Sequence, residues 1–411
     1  MKKIILTIML LIVSYFLNAQ IVNIPDANFK YVLVNWDVAD LGNGIYEDVD
    51  TNNDGEIQVS EAEVVLELFL LNSGISSLEG IQSFSIIRKI NLESNQLTSL
   101  DFTQNPLLEY IDCNHNQLTS LNVTGNSNLV YLDCKSNFIE SLIIGQNINL
   151  IELWAGGNNL NELDVSLITN LEILSFYGNK TSEISEIDVS QNVNLKMLSF
   201  QGLNFSSIDV SQNINLEILF CSFNNFNEIN VSQNPNLKWL DISNNLLTSL
   251  DVSQNPNLEW LYCMNNFLQN LNINNENNTI LEIMFANDNS NLGCIQVDDE
   301  SYSNNQTCQT SIGWCKDETA SYSEECILNI VDFDNSKIIN LYPNPSNGII
   351  NISNGSDFKI ASIKLFDLIG KMVLSYDDNL NQINLSKLEN GIYLMKIEVN
   401  NKVITKKIIK K

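Results

Sequence analysis

The chain has 411 residues, with 21 Lys or Arg against 49 Asp or Glu, a formal net charge of −28 and a single His. Charge of that sign repels phosphate backbones and anionic lipid surfaces, which argues against nucleic acid as a partner and suits divalent cations. With no Gly-Lys-Ser phosphate loop, no Ser nucleophile elbow and one His, the usual catalytic constellations lack their members, so the chain reads as a non-enzyme.

Met1-Lys2-Lys3, an apolar run from Ile4 to Leu17 and then Asn18-Ala19-Gln20 read as a secretory signal peptide over 1–19, too short to favour a retained membrane anchor. No later stretch is apolar enough to span a bilayer, so the mature chain is expected to have no transmembrane segment.

An N-terminal cap is expected over 20–64. Asp26 to Asp37 can form a helix burying Phe29, Leu33 and Trp36. Asp50-Thr-Asn-Asn-Asp54-Gly-Glu-Ile-Gln-Val-Ser-Glu61 then fits the twelve-residue EF-hand loop. Asp50, Asn52 and Asp54 occupy the first three ligand positions, Gly55 the sharp turn and Glu56 the carbonyl position. Gln58 would act through water, and Glu61 would chelate with both oxygens. No second loop pairs with it, so the expectation is a single structural Ca2+ site.

From Val65 to about 293 a unit of about 21 residues recurs, with starts at Val65, Ile87, Leu108, Leu129, Leu150, Leu171, Leu195, Leu216, Leu237, Leu258 and Leu281. Self-similarity at that period means a solenoid whose rungs bury their apolar residues against their neighbours. The third and fifth residues after each start are apolar (Leu240 and Ile242, Leu261 and Cys263), the alternation of a short strand with one face in the core. An Asn recurs at the eighth (Asn95, Asn116, Asn137, Asn158, Asn179, Asn224, Asn245, Asn266, Asn289), placed to bond the backbone of the turns. Leu203 interrupts that series, and a distorted rung is expected there. This pattern resembles the leucine-rich repeat family in a short bacterial form with a frequent strand Cys. The resemblance implies a curved or gently twisted solenoid, a parallel sheet on one side and a mostly non-enzymatic, binding mode of action.

The outward positions of the same strands collect Tyr110, Tyr131, Trp154, Tyr177, Phe220, Trp239, Trp260, Tyr262 and Phe285. Aromatic surface of that extent marks a candidate ligand face, with Asp112, Asp133, Asp241, Asn114 and Ser243 as polar neighbours. An extracellular protein is the first expected partner and a glycan stacking on the rings the second. The bland alternative is a spacer whose aromatics merely pack along the ladder.

Cys113, Cys134, Cys221 and Cys263 all fall at the inward strand position and are expected as buried thiols, with a Cys113–Cys134 bridge as the exception. Cys294, Cys308, Cys315 and Cys326 cluster in a C-terminal cap, 294–329, and suggest two disulfides. Three pairings are open, and Cys294–Cys326 with Cys308–Cys315 is the expected one.

After a linker at 330–339, residues 340–411 alternate apolar runs with turns, the pattern of a small antiparallel β-sandwich of about seven strands. Eleven Lys against eight Asp or Glu give 330–411 a charge of +3, and Lys2 and Lys3 add +2, so 20–329 carries −33. Leu341-Tyr-Pro-Asn-Pro345, Asn347-Gly348, Asp367, Gly370-Lys371, Leu388, Gly391, Tyr393 and Lys406-Lys-Ile-Ile409 resemble the C-terminal sorting domain of type IX secretion cargo. That resemblance implies handling by the type IX machinery and an extracellular or outer-membrane-surface location.

Overall fold

A computed structural model describes residues 20–179, 184–309, 312–326, 339–354, 360–367, 370–377, 380–399 and 402–411. The expected signal peptide and most of the expected linker lie outside these residues. The chain divides into two units, 1–326 and 327–411.

In the first unit each rung supplies one three- or four-residue strand to a parallel sheet. Twelve such strands run from Glu67–Phe69 through Tyr110–Asp112, Ile173–Ser175, Met197–Ser199, Trp239–Asp241 and Trp260–Tyr262 to Ile283–Ala286 and Gly313–Lys316. The register is residue for residue: Trp239 faces Trp260, Leu240 faces Leu261 and Asp241 faces Tyr262. Neighbouring strands lie about 4.8 Å apart. Inward positions form columns through the core, all essentially buried, as in Leu219, Leu240 and Leu261. In the middle rungs Phe176 and Phe200 replace the small Cys or Ala of the inward column and pack against Phe205 and Phe226.

Two Asn ladders hold the irregular parts of the rungs. Asn245 Nδ2 donates to the Cys221 and Ile242 carbonyls at 3.2 and 3.1 Å, and its Oδ1 accepts from Phe226 N–H at 3.0 Å. One side chain thereby satisfies backbone groups of two rungs, which a buried turn requires. The second ladder, on the far side of the rung, is more deeply buried: Asn213, Asn234 and Asn255 each donate to two carbonyls of the rung before. At the interruption Leu203 is buried, yet Met197–Ser199 stays in register with both neighbours. The distortion expected there does not reach the sheet.

The two ends close differently. At the N-terminal end, helix α1 (Ala27–Asn35) starts on Asp26, whose carboxylate accepts from Phe29 N–H at 2.9 Å, the standard N-cap bond. It buries Phe29, Val32 and Leu33, but Trp36 caps the helix in extended conformation and is exposed, edge-on to Tyr31. The helix stops one residue too soon to turn Trp36 inward. Antiparallel strands Ala39–Asp40 and Tyr46–Glu47 then cover the sheet edge, which otherwise presents unpaired backbone groups. At the other end the Cys-rich segment continues the solenoid. Gly313–Lys316 pairs in parallel with Ile283–Ala286, Trp314 and Tyr322 fill the core, and Ser321–Ser323 extends a second, four-stranded sheet on the far side. Disulfides Cys294–Cys326 and Cys308–Cys315 fasten it.

The second unit has seven strands in a three-stranded and a four-stranded antiparallel sheet. Ile350, Ile363, Leu365, Ile383, Met395, Ile397 and Ile408 form its own core. The longest pairing joins Gly391–Val399 to Lys402–Lys410.

Candidate functional site: the outward face of the parallel sheet

The period-two alternation that buries Leu240 and Ile242 turns Trp239 and Asp241 outward, and the register aligns such residues into rows. The first row reads Tyr110, Tyr131, Glu152, Ile173, Met197, Ile218, Trp239, Trp260 and Ile283. The second reads Asp112, Asp133, Trp154, Ser175, Ser199, Phe220, Asp241, Tyr262 and Phe285.

The nine aromatics singled out in the sequence do lie on this side, but they are not nine isolated exposed rings. Tyr110 stacks on Tyr131 with centroids 4.2 Å apart and planes at 5°, and Trp239 stacks on Trp260 at 4.5 Å and 7°. Tyr262 meets Phe285 edge-on at 5.3 Å. In these three pairs each ring covers part of the other, and of the nine only Tyr177, at 41%, is well exposed to solvent. Its ring lies across Gly156, where an added Cβ would come within 2.7 Å of a ring carbon. The aromatic tally missed Ile173, Met197 and Ile218, half-buried residues that join the tyrosine pair to the tryptophan pair. The signal was available in the strand alternation, which gives these three the same position as Trp239.

The two halves of the face differ electrostatically. Around the tyrosines, Asp112 and Asp133 are both nearly buried on adjacent strands. Burial raises the Asp112 carboxyl above its ordinary value, with repulsion from Asp133 adding to it, while Asn114 N–H opposes the shift. Burial likewise raises Asp133, against the pull of Lys135, whose ammonium lies 3.0 Å away and also sits over the Trp154 ring at 4.9 Å. Trp154 donates its indole N–H to Glu152 at 3.1 Å. Around the tryptophans the one nearby carboxylate in the row is Asp241, bonded to the Ser243 hydroxyl and N–H.

His115 occupies a left-handed turn position, with Nδ1 2.6 Å from Asn114 Oδ1. The hollow along the sheet edge, lined by Val130 and Ile151 between Glu109 and Glu172, is a shallow trough rather than an enclosed pocket. The four inward cysteines are unpaired and buried, and burial raises their thiols above the ordinary range.

In the acidic loop of the cap, Gly55 takes the left-handed conformation that the sharp turn needs. Asp50 accepts from Asp54 N–H at 3.0 Å and Gly55 N–H at 2.7 Å. Glu61, closing the loop as the third residue of α2 (Val59–Ala62), accepts from Thr51 Oγ1, Asn52 N–H and Gln58 N–H. Asn52, Gln58 and Asp54 are linked side chain to side chain, and Glu56 pairs with Lys30 at 2.6 Å. Burial first, and then repulsion from Asp50, Asp37, Glu47 and Glu61, raise the neighbouring Asp48 carboxyl. Among the described residues no set of three His, Cys, Asp or Glu side chains is gathered as a metal cage, and no helix is long and apolar enough to cross a membrane.

Residues 340–411 match the secretion system C-terminal sorting domain family. No curated protein matches the chain. Among solved structures, the functional domain of InlJ from Listeria monocytogenes, described as including a cysteine ladder, shares 30% identity with a TM-score of 0.52, over 68% of this chain and 67% of that one. A leucine-rich repeat protein of Leptospira interrogans shares 24% identity over 51% of this chain and 57% of that one, with a TM-score of 0.46. An internalin of Listeria monocytogenes, InlF, shares 16% over 66% and 89%, at 0.39. The twelve in-register parallel strands, the Asn ladder, the inward cysteines and the match to the first of these lead to one conclusion: the chain belongs to the leucine-rich repeat family, and it carries a type IX secretion sorting domain at its C-terminus.

Proposed function

We propose that the solenoid is an adhesion or interaction module that binds an extracellular protein across the outward face of its sheet. The observation that carries this reading is the near-continuous apolar row from Tyr110 to Ile283, broken only by Glu152. Such a row gives a partner several rungs of contiguous apolar contact. Trp and Tyr in it are the residue types that dominate binding energy at protein interfaces. The stacking within pairs favours a flat protein surface over sugar rings, because the Trp239 and Trp260 faces are already partly occupied by each other. The sorting tail supports delivery to the extracellular space or the outer-membrane surface.

The test is a binding screen of the full mature chain against arrays of extracellular proteins and glycans, with Trp239→Ala/Trp260→Ala alongside. A protein hit lost in the double variant is expected. A hit indifferent to it sinks the strand-face reading, and a hit competed by soluble polysaccharide transfers the face to glycans.

The cap loop we assign to one structural Ca2+. Asp50, Asn52, Asp54, the Glu56 carbonyl, Gln58 and Glu61 would hold it, beside Asp48, whose carboxyl burial first and then repulsion from neighbouring carboxylates raise. The hydrogen bonds that Asp50 and Glu61 receive from the loop's own amides pre-shape it. Calcium should raise the melting temperature of the wild type and leave Glu61→Ala unchanged. Equal melting of the wild type in calcium and in chelator would remove the assignment.

A further inference from the structure

Every complete rung turns out of its sheet strand through a residue with positive φ. Along the chain these are Asn72, Ser94, His115, Ser136, Gly157, Gly178, Gly202, Phe223, Asn244, Asn265 and Asp288. Gly, Asn, Asp, Ser and His are small or polar enough to accept that conformation, but Phe is an outlier there. At φ +56 Phe223 is held in backbone strain, and its ring is 62% exposed, so the strain is not offset by burial. The next two rungs expose Leu246 at 45% and Phe267 at 55%, two positions further along the same turn. Their amides bond to Phe226 O and Leu247 O of the rung before, which stacks the three turns directly on one another. A strained aromatic that gains no burial, beside two further exposed apolar side chains, points to a contact made with another molecule.

The charge around this patch selects that molecule. From Met197 to Cys315 the sequence carries twelve Asp or Glu and a single cation, Lys238. Lys238 is tied to Glu217 at 2.7 Å. The remaining described cations of the body are also committed: Lys30, Arg88, Lys89, Lys135 and Lys196 pair with carboxylates, and Lys316 bonds the Ala320 carbonyl. A second copy of the chain would bring another strongly negative body and is repelled.

We propose that the turn edge at Phe223, Leu246 and Phe267 is a second interaction surface, which docks a protein segment mixing Lys or Arg with apolar side chains. It lies outside the strand rows and does not depend on them. Its apolar residues would take the partner's apolar side chains, and the carboxylates of these rungs that have no cation beside them would take its cations.

The test uses the full mature chain and a 20-residue peptide alternating Arg with Leu, read by fluorescence anisotropy at 0.15 M salt. Companion peptides replace every Leu by Ser or every Arg by Glu. Variants are Phe223→Asn, which installs the residue type of the next two turns, and Leu246→Ser with Phe267→Ser. Each variant is expected to weaken the Arg/Leu peptide tenfold or more, with the Arg/Ser peptide binding at least tenfold more weakly to the wild type. Phe223→Asn should meanwhile raise the melting temperature by about 2 °C or more, because strain is relieved. A smaller loss of affinity in either variant overturns the proposal, as does equal binding of the Arg/Ser peptide. A lower melting temperature for Phe223→Asn also overturns it, by making Phe223 a packing residue. Trp239→Ala/Trp260→Ala reports on the strand face alone, so the two surfaces can fail separately.

Discussion

Trp239 and Trp260 lie on adjacent parallel strands with their indoles stacked 4.5 Å apart at 7°. Two indoles so close couple their electronic transitions. The pair should give a split near-ultraviolet circular dichroism signal that vanishes in either Trp239→Ala or Trp260→Ala. The stack contributes about 1 kcal/mol beyond area burial, so each variant should also lose at least that much stability in urea. A signal that persists in either single variant would mean the rings do not stack in solution.

Removing one rung of the first Asn ladder should cost more than its small size suggests. In Asn245→Ala Phe226 N–H loses its acceptor, while the Cys221 and Ile242 carbonyls each keep one Asn donor, from Asn224 and Asn266. A buried group left unpaired costs about 1–3 kcal/mol, so a loss in that range is expected from urea unfolding. Asn225→Ala, at an exposed neighbouring turn position, should cost far less.

The cysteines should sort by chemistry. Cys113, Cys134, Cys221 and Cys263 are buried with raised thiol pKa. They should resist maleimide in the native protein and react only in denaturant. Cys294→Ser with Cys326→Ser opens a bridge of sequence separation 32, worth about 3–4 kcal/mol by loop entropy. Since contacts in a solenoid are between neighbours, that loss should show first as faster hydrogen exchange in the last rungs. Uniform exchange along the body would contradict it.

The Asp112 and Asp133 carboxyls have folded-state values raised above their ordinary one, which here means burial penalises their charged forms. Between the ordinary carboxylate value and the raised one, the folded chain binds more protons than the unfolded chain, so this contribution to stability falls as pH rises through that window. Asp112→Asn should therefore stabilise the protein at pH 7, with the advantage shrinking as pH drops below the folded value. An advantage independent of pH would assign it to packing instead.

Much of this was readable because repetition multiplies weak signals. A single Leu-x-x-Leu-x-Cys segment is ambiguous, but eleven units of that kind, most of them 21 residues apart, fix the inward and outward positions. The strand face, the first Asn ladder and the inward cysteines all follow from that. Trp36 was misplaced because its position depends on where a helix ends, which is set by the following strand and not by periodicity. The second Asn ladder went unread as a ladder, since Asn213, Asn234 and Asn255 sit in a polar-looking stretch whose burial only rung stacking reveals. Ile173, Met197 and Ile218 were passed over because aromatics were counted and aliphatics were not.

The in-register Asn ladders make the rung a unit of growth. A duplicated block such as Leu237 to Asn257 carries its own turn Asn245 and far-side Asn255, and these bond only within their own rung and to the rung before. Insertion of such a block needs no compensating change elsewhere, and lengthens the face by one strand spacing, about 4.8 Å. The length of this face is thus quantised: it can change only in whole steps, each arriving with its outward residues already aligned to the existing rows.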